Sequence, residues 1–222
     1  MVLAGIASWV SIMKTIAGQI RHNLLIAIDE FKAGDRILIN QALALAEDVH
    51  QGELRRPTKH PVAPYIVHPM RVALIIIQEL KMQEKEIVAA ALLHDVVEGS
   101  QRRVGVGQIE QSFGRNIALM VSILTKPPEN PDVPKEQQLY FYYERIKGAN
   151  ANTRLIKLAD RLDNVREAID SFDTKFQQAY LKETREIFLP LAAETNQQLS
   201  DELVKACDQL ERAQHQQMET IP

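Results

Sequence analysis

Apolar side chains recur every three or four residues along most of the chain, and this spacing is typical of amphipathic helices. The stripe that contains Leu155, Leu158 and Leu162 is the clearest example. The pattern predicts helices over the following segments, with the first and last broken: residues 4–32, 36–51, 69–80, 84–98, 107–124, 135–147, 152–170 and 175–213. The sequence contains no internal repeat and no Gly/Ser linker.

Turn-forming stretches lie between the predicted helices. Residues 56–64 contain three prolines and residues 126–134 contain four, while residues 99–107 are basic and rich in glycine. Prolines end helices because they fix φ and lack an amide hydrogen. Only two short pieces, YIV at 65–67 and RVGV at 103–106, look extended. We therefore predict an all-α protein.

Three segments are predicted within this architecture: an N-terminal helical extension at 1–35, a main helical domain at 36–195, and a C-terminal helix at 196–222 that packs on it. Residues 1–13 are uncharged, but they fall short of the roughly 18 residues of a membrane-spanning helix and lack the basic start of a signal peptide. We expect no integral membrane association. The apolar face around Trp9 is expected to dock on the domain or on a second subunit of a homo-oligomer. Binding to a membrane surface and a start site assigned too early are the alternatives.

Composition and charge narrow the class of protein. Charged residues make up 25% and hydrophobic residues 45% of the chain, as in ordinary globular proteins. The 26 Lys and Arg stand against 29 Asp and Glu, so no basic surface for nucleic acid is expected, although a local basic pocket can hold a small anion. The single cysteine, Cys207, cannot form an internal disulfide, which argues against a secreted scaffold and favours a cytoplasmic location.

A first group of ionisable residues lies within the apolar segment AAALLHDVVE. His94 and Glu98 are four residues apart, and Asp95 and Glu98 are three apart, so all three can face one site on a helix. Burying adjacent ionisable groups is costly unless something compensates them. A divalent cation is the simplest compensation, because imidazole and carboxylate are suitable ligands for Mn, Fe or Zn. Alternatively, the His and Asp cap neighbouring backbone or pair with basic residues.

A second group lies on the helix predicted over 152–170. Asp160 borders its apolar stripe, and Asn164 follows one turn later, so both can point into the same cavity. Alternatively, Asp160 pairs with Lys157 or Arg161 on a solvated face.

A third candidate is His68 in the segment PYIVHP. Pro69 can open a helix at its first position, which places His68 beside the amino end. A capping or core histidine is the alternative. Together the three segments supply two imidazoles and two carboxylates in the order H…HD…D, and this conjunction is more specific than any single member.

These segments resemble the hydrolase half of RelA/SpoT alarmone enzymes, which are HD-domain metal phosphohydrolases. The resemblance runs from about residue 40 to residue 192, and it rests on five stretches: VHQGELRR, PYIVHPMRVA, AALLHDVVE, IEQSFGRNIALMVSILTK and LIKLADRLDNVREA. The absence of a synthetase half in these 222 residues is similar to what small alarmone hydrolases show.

The resemblance implies a single helical HD-domain fold that holds one Mn²⁺ ion. The implied metal ligands are His68, His94, Asp95 and Asp160. The implied reaction removes the 3′-pyrophosphate from guanosine tetra- or pentaphosphate and releases pyrophosphate and GDP or GTP. Asp95 shares in catalysis, and Glu98 orients or deprotonates the attacking water or protonates the leaving oxygen.

The resemblance also implies residues that contact a nucleotide substrate. Arg55 and Arg56 match the basic pair of the family that holds the nucleotide, and guanidinium groups can stack on a base and fork onto phosphate. Asn164 matches a position that contacts the nucleotide, and Lys126 is a candidate contact for phosphate. Outside the matched motifs, Lys182 and Arg185 on a later helix are candidates for closing the pocket, with Phe188 as a stacking surface; an exposed charged face is the alternative.

The chain departs from the family pattern in four places. Gly99 replaces an acid that follows HDVVE and normally shares in catalysis. Asp163 stands where the family has His or an aromatic residue, and it is a second candidate for acid–base work or points away from the cavity. The loop at 56–64 is longer than usual, and Glu167 replaces a small polar residue near the base pocket.

These departures leave two alternative functions open. One is an HD phosphohydrolase of another nucleotide, such as an adenosine alarmone or a 5′-nucleotide. The other is a catalytically weakened module that binds nucleotide and metal for regulation.

Overall fold

Helices make up most of the chain. The computed structural model describes residues 2–56, 58, 62–101, 103–171 and 173–219, and the side chains within these ranges from residue 15 to residue 216. The α-helices have the following bounds: α1 (Val2–Asp29), α2 (Ala33–Val49), α3 (Val67–Leu74), α4 (Lys85–Leu93), α5 (Val96–Gly99), α6 (Val106–Phe113), α7 (Arg115–Leu124), α8 (Lys135–Lys147), α9 (Ala151–Ala168), α10 (Thr174–Glu183), α11 (Leu189–Thr195) and α12 (Gln197–Glu219). A π-helical turn extends α3 over Ile75–Glu79, and a second one joins α10 to α11 over Thr184–Phe188.

Helix α4 lies at the centre of the core. Every side chain from Ile87 to Leu93 is buried, because α2, α3, α7 and α9 pack around this helix. A single apolar cluster reaches from Leu24 in α1 to Leu203 in α12. The all-α fold is therefore confirmed, while the division of the chain into three segments stays a prediction.

Most helix boundaries follow the hydrophobic pattern, but the first helix, which is expected to be broken, is continuous over Val2–Asp29. Two other predicted helices are divided where a site residue or a glycine interrupts the pattern. The helix expected over 84–98 is in fact two helices, since α4 ends before His94 and Asp95 takes φ −102° and ψ −1° before α5 begins. The helix expected over 107–124 is divided at Gly114, whose φ of 86° is easy for glycine and strained for other residues.

The two pieces expected to be extended are not strands. Tyr65 lies in the turn that enters α3, and Val106 begins α6. Within the described residues the only β-type pairing is an isolated antiparallel bridge between Leu54 and Pro64. The Tyr65 amide reinforces it by donating to the Glu53 carbonyl at 2.9 Å. The bridge closes the base of the proline-rich loop, whose tip lies outside the described residues.

The second half of α1 packs on the rest of the molecule. Leu24, Ala27 and Ile28 are buried, and the helix contacts α2 and α3. The side chain of Trp9 lies outside the described residues. No helix in the described part of the chain has both the length and the apolar character that a membrane crossing requires.

Candidate metal centre and substrate cavity

Four predicted ligands from three regions of the chain converge at one point. His68 lies in the first turn of α3, His94 and Asp95 lie in the break between α4 and α5, and Asp160 lies in α9. The His68 Nε2 atom is 3.1 Å from Asp160 Oδ1, and the His94 Nε2 atom is 3.3 Å from Asp95 Oδ2. One ligand atom from each of His68, His94 and Asp160 lies within 4.8 Å of the others, and all three residues are buried.

Hydrogen bonds hold both imidazoles with Nε2 turned inward. The Nδ1 atom of His94 lies 2.7 Å from the Ala91 carbonyl, and that of His68 lies 2.6 Å from Asp163 Oδ2. Both partners only accept, so each Nδ1 carries a hydrogen and Nε2 is the ring nitrogen that remains to bind a cation once its own proton has left. The His94 Nε2 atom is buried and has no hydrogen-bond partner. This unpartnered atom, beside an imidazole and carboxylates, fits a divalent metal site.

The electrostatics of the group keep its carboxyls ionised. Burial opposes the charged form of His94, but Asp95 and Asp160 outweigh it and raise the pKa of that imidazole to about 9. Burial also opposes ionisation of Asp160, but the Lys157 ammonium and His68 hold the pKa of its carboxyl well below its usual range. The acids are therefore available as ligands at neutral pH, and binding of a metal would release protons from the group.

Glu98 lies beside this group on α5. Its carboxylate accepts a hydrogen bond from the Lys126 amide at 2.6 Å. Burial raises the pKa of Glu98, Asp95 adds to the effect, and the Lys126 amide opposes it. The raised pKa makes this carboxylate a stronger base than an ordinary glutamate, which suits it to accepting and returning a proton.

A cavity of about 430 Å³ extends from the metal-ligand group along α9. Its walls include all four residues predicted to contact substrate: Arg55, Arg56, Lys126 and Asn164. Asn164 donates to Asp160 Oδ1 at 2.5 Å and accepts from Arg55 Nη2 at 2.7 Å. Asn164 thus links Arg55 to Asp160, which is a predicted metal ligand.

The structure has the second of the two alternatives given for Asp163, and it corrects the expectation for Glu167. Asp163 points away from the catalytic group, because its carboxylate accepts from His68 and from Arg71 Nε at 2.6 Å. It therefore orients His68 and is not available for acid–base work. Glu167 does not face a base pocket as a free carboxylate, since it pairs with Arg55 and, at 3.3 Å, with Arg71 Nη2.

The chain has no room for a side chain at Gly99. A Cβ there would lie 2.4 Å from His50 Cε1 and 3.4 Å from Glu53 Oε2. His50 is buried, and its Nδ1 atom is 2.7 Å from Glu53 Oε2. The His50–Glu53 pair therefore occupies the space into which an acid at position 99 would extend.

Sequence reasoning missed several residues of the site. Tyr65 donates to Asp95 Oδ2 at 2.5 Å, and its position three residues before His68 was the available signal. Lys157 does pair with Asp160, at 2.7 Å, but the pair is buried at the cavity wall and not on a solvated face. Lys182 is exposed and absent from the cavity wall, where Phe176 and Tyr180 of the same helix lie instead.

Comparisons with known proteins agree with this architecture. A family described as HD domain matches residues 42–197. A solved structure described as a metazoan ortholog of SpoT that hydrolyses ppGpp superposes with a TM-score of 0.67 and 24% identity over 78% of this chain and 94% of that one. At that identity the superposition shows the fold alone.

Curated relatives match the same region. A probable guanosine-3′,5′-bis(diphosphate) 3′-pyrophosphohydrolase of Synechocystis is 35% identical over 158 residues, 70% of this chain and 20% of that protein. The bifunctional (p)ppGpp synthase/hydrolase SpoT of Escherichia coli K12 is 35% identical over 69% of this chain and 21% of that protein. The guanosine-3′,5′-bis(diphosphate) 3′-pyrophosphohydrolase MESH1 of Xenopus tropicalis is 30% identical over 61% of this chain and 72% of that protein.

The helical fold and the His/Asp group define an HD domain, and the chain belongs to the HD-domain family. Within that family it is related to the SpoT and MESH1 (p)ppGpp hydrolases, at 30–35% identity. The chain spans about a fifth of the length of the first curated relatives that it matches.

Proposed function

We propose that this protein is a Mn²⁺-dependent hydrolase that removes the 3′-pyrophosphate from guanosine tetra- or pentaphosphate. The observation that carries the proposal is the pair of inward-facing imidazole Nε2 atoms beside Asp160, at one end of a cavity lined by Arg55 and Lys126. His68, His94, Asp95 and Asp160 would hold the ion. The names of the SpoT and MESH1 relatives support a guanosine bis(diphosphate) substrate.

In the proposed reaction, water adds to the phosphorus that is bonded to the ribose 3′ oxygen. That P–O bond breaks, pyrophosphate leaves, and the ribose oxygen takes up a proton. A bound divalent cation would supply positive charge to a phosphoryl oxygen and make water at the site more acidic. Glu98 accepts the proton of the water and returns it to the ribose oxygen, which its raised pKa makes feasible.

The cationic side chains of the cavity bind and orient the polyphosphate. Lys157 is held by Asp160 at 2.7 Å, and Lys126 lies on the cavity wall next to Glu98. Arg55 is held by Asn164 and Glu167, so its guanidinium is positioned before substrate arrives. Fixed cations of this kind stabilise charge that develops on phosphoryl oxygens without reorganising during the reaction.

A metal-supplemented hydrolysis assay with product identification tests the proposal. Wild-type protein with Mn²⁺ is expected to release pyrophosphate and GDP from guanosine tetraphosphate, and Asp95→Ala is expected to abolish that release. Asp48→Ala, which alters an exposed residue of α2, is the matched control and should keep full activity. Absence of pyrophosphate release by the wild type, together with ready cleavage of other nucleotides, would contradict the proposal.

The arrangement at Gly99 favours a second candidate, an HD phosphohydrolase of another nucleotide or a catalytically weakened nucleotide-binding regulator. The His50–Glu53 pair leaves no space for an acid at that position, so the acid–base groups differ from those expected of an alarmone hydrolase. A panel of adenosine alarmones and 5′-nucleotides, assayed separately for phosphate and pyrophosphate, distinguishes another substrate from guanosine tetraphosphate. A regulator predicts alarmone binding with hydrolysis no faster than that of Glu98→Ala.

A further inference from the structure

A column of stacked cationic and aromatic side chains forms the wall of the cavity on the side of α10. The Arg161 guanidinium carbon lies 4.3 Å from the centre of the Phe188 ring and 3.6 Å from that of Tyr180. Tyr180 stacks on Phe176 with ring centres 5.2 Å apart. The Arg56 guanidinium carbon lies 4.9 Å from the centre of the Phe176 ring. We call these five side chains the aromatic column.

The column is held firmly at its inner end. Arg161 is buried, donates to Thr184 Oγ1 at 2.9 Å and pairs with Glu183. Phe188 is also buried. The backbone of Phe176 is fixed by Asp173, whose carboxylate accepts from the Phe176 amide at 2.9 Å at the start of α10. The ring of Phe176 is stacked on that of Tyr180 with an interplanar angle of 29°, and this contact orients it at the cavity wall.

At the outer end of the column, the Arg56 guanidinium can be displaced from the Phe176 ring by a ligand. Arg56 is exposed, and it lies where the proline-rich loop begins. A guanidinium is planar and stacks on aromatic faces, so its place over Phe176 is one that another flat group can take. Because Tyr180 already covers one face of the Phe176 ring, the face under Arg56 is the one that a ligand can reach.

The outer end of the column is separated from the metal-ligand group by a distance that a nucleotide can span. Asp160, Asn164 and Ala168 recur every four residues on α9 and all line the cavity, so one face of the helix borders it for about 12 Å. Gln177, next to Phe176, donates to the Ala168 carbonyl at 2.8 Å, which places Phe176, the outer aromatic ring of the column, at the far end of that face. A ligand with phosphate at one end and a planar ring at the other matches this layout.

We propose that Phe176 and Arg56 form a nucleobase-stacking subsite, in which the base inserts between the phenyl ring and the guanidinium. This inference rests on the proposed function in so far as the substrate is a nucleotide. Arg56 moves outward to admit the base and then covers its second face. Aromatic faces stack on every base, so the subsite contributes to nucleotide affinity and leaves the choice between guanine and adenine to other contacts.

The test compares Phe176→Leu, which keeps an apolar side chain but removes the flat face, with Phe176→Trp, which keeps a flat face. Phe141→Leu is the matched control, because Phe141 is exposed on α8 and is not part of the cavity wall. Each protein is assayed with Mn²⁺ on guanosine tetraphosphate and on p-nitrophenyl phosphate, which has no base. Binding of GDP is measured in parallel by calorimetry.

Phe176→Leu is expected to raise KM for guanosine tetraphosphate and the Kd of GDP by about 5- to 100-fold, the range that stacking on one base spans. The kcat stays within about threefold of wild type, because stacking holds the ground state and the transition state alike. Activity on p-nitrophenyl phosphate is unchanged, and both Phe176→Trp and Phe141→Leu behave as wild type.

Three outcomes would overturn the subsite: no GDP binding by the wild type, equal GDP binding by wild type and Phe176→Leu, or an equal loss of activity on the base-free substrate. If guanosine tetraphosphate is not hydrolysed at all, the proposed function fails. The comparison of GDP affinities still decides whether Phe176 stacks on a base.

Discussion

At the scale of single residues, the candidate metal centre depends on side chains that do not face the cavity. Asp163 accepts from His68 Nδ1 at 2.6 Å and is also held by Arg71. A carboxylate in this position fixes the tautomer and the ring orientation of a ligating histidine, and it raises the basicity of the ligand. The affinity of the site for a cation is therefore expected to depend on a residue that does not touch the ion.

Asp163→Asn is expected to weaken Mn²⁺ binding by about 10- to 100-fold, because the amide no longer holds the imidazole as a carboxylate does. Titration of the folded protein with Mn²⁺, followed by calorimetry, measures the change. Asp48→Asn on the exposed side of α2 is the control and should bind Mn²⁺ as the wild type does. Equal affinity of Asp163→Asn and wild type would show that His68 is oriented by other contacts.

The pH dependence of turnover is expected to report Glu98. A general base works only when ionised, so the rate falls as pH drops through its pKa. Burial and Asp95 raise the pKa of Glu98 and the nearby cations Lys126 and Lys157 oppose them, with a net upward shift. An ordinary glutamate has a pKa of about 4.3. The midpoint of the acid limb of kcat should therefore lie at a higher pH than that.

Glu98→Gln is expected to lower kcat by about 10²- to 10⁴-fold and to remove this acid limb from the residual activity. Rates are measured from pH 4.5 to pH 8 with Mn²⁺ held at saturation at every point. An acid limb with an unchanged midpoint in Glu98→Gln would assign the titration to another group.

Gly99→Ala is expected to destabilise the protein by about 1–3 kcal/mol, because the added Cβ would lie 2.4 Å from the ring of buried His50. Urea denaturation measures the loss. The double variant His50→Ala/Gly99→Ala is the control for the mechanism. Its destabilisation should be smaller than the sum of the two single changes, and strict additivity would rule out the clash as the cause.

At the scale of elements, α9 brings most of the site together. Asp160, Asn164 and Glu167 project from it toward the metal-ligand group and the arginines. The start of α9 is marked in the sequence by an N-cap residue, Asn150. Its carboxamide oxygen accepts hydrogen bonds from the Thr153 amide and hydroxyl at 2.9 Å each. By contrast, no proline or glycine marks the break between α4 and α5. The break turns His94 and Asp95 toward the same point.

Removing the cap with Asn150→Ala is expected to cost about 1 kcal/mol of stability, the usual effect of losing such a side chain at a helix start. Asn23→Ala is the matched control, because Asn23 is exposed within α1 and bonds only Gln19 in the described structure. Urea denaturation of both variants should show a loss for Asn150→Ala and little change for Asn23→Ala. A similar response of the two variants would contradict the role of the cap.

At the scale of the whole molecule, the metal-ligand group joins α3, the α4–α5 break and α9, so a bound cation cross-links distant parts of the chain. A ligand that binds only the folded state stabilises it, by about 2.7 kcal/mol at a concentration of 100 times Kd. For a chain of this size, 1 kcal/mol corresponds to about 2–4 °C in Tm.

Removal of metal with a chelator is therefore expected to lower Tm by about 5–10 °C relative to protein with saturating Mn²⁺. Thermal denaturation followed by circular dichroism measures the shift. His94→Gln removes the unpartnered Nε2 atom, and its Tm should respond little to Mn²⁺. A wild-type Tm that is independent of Mn²⁺ would contradict a metal site that joins these elements.

Much of the fold could be predicted because helix signals are local. The apolar spacing placed α8 at 135–147, as observed, and the prolines mark helix ends, whereas the break at Gly114 was not predicted. The break at His94 could not be predicted from spacing, because AAALLHDVVE is a continuous helical pattern. The prediction that two short pieces are extended was wrong. Strand-like residues form a strand only where another strand pairs with them, and the described residues contain one isolated bridge and no other pairing.

By itself, the sequence determined that the chain forms packed helices and that its imidazoles and carboxylates occur in the order H…HD…D. These features depend on neighbours three or four residues away or on residue identity alone. The tertiary structure decided which partner each charged group takes. It paired Arg55 with Glu167, 112 residues apart, turned Asp163 to His68, and filled the space beside Gly99 with His50. Such contacts arise from the packing of distant helices, so no local pattern specifies them.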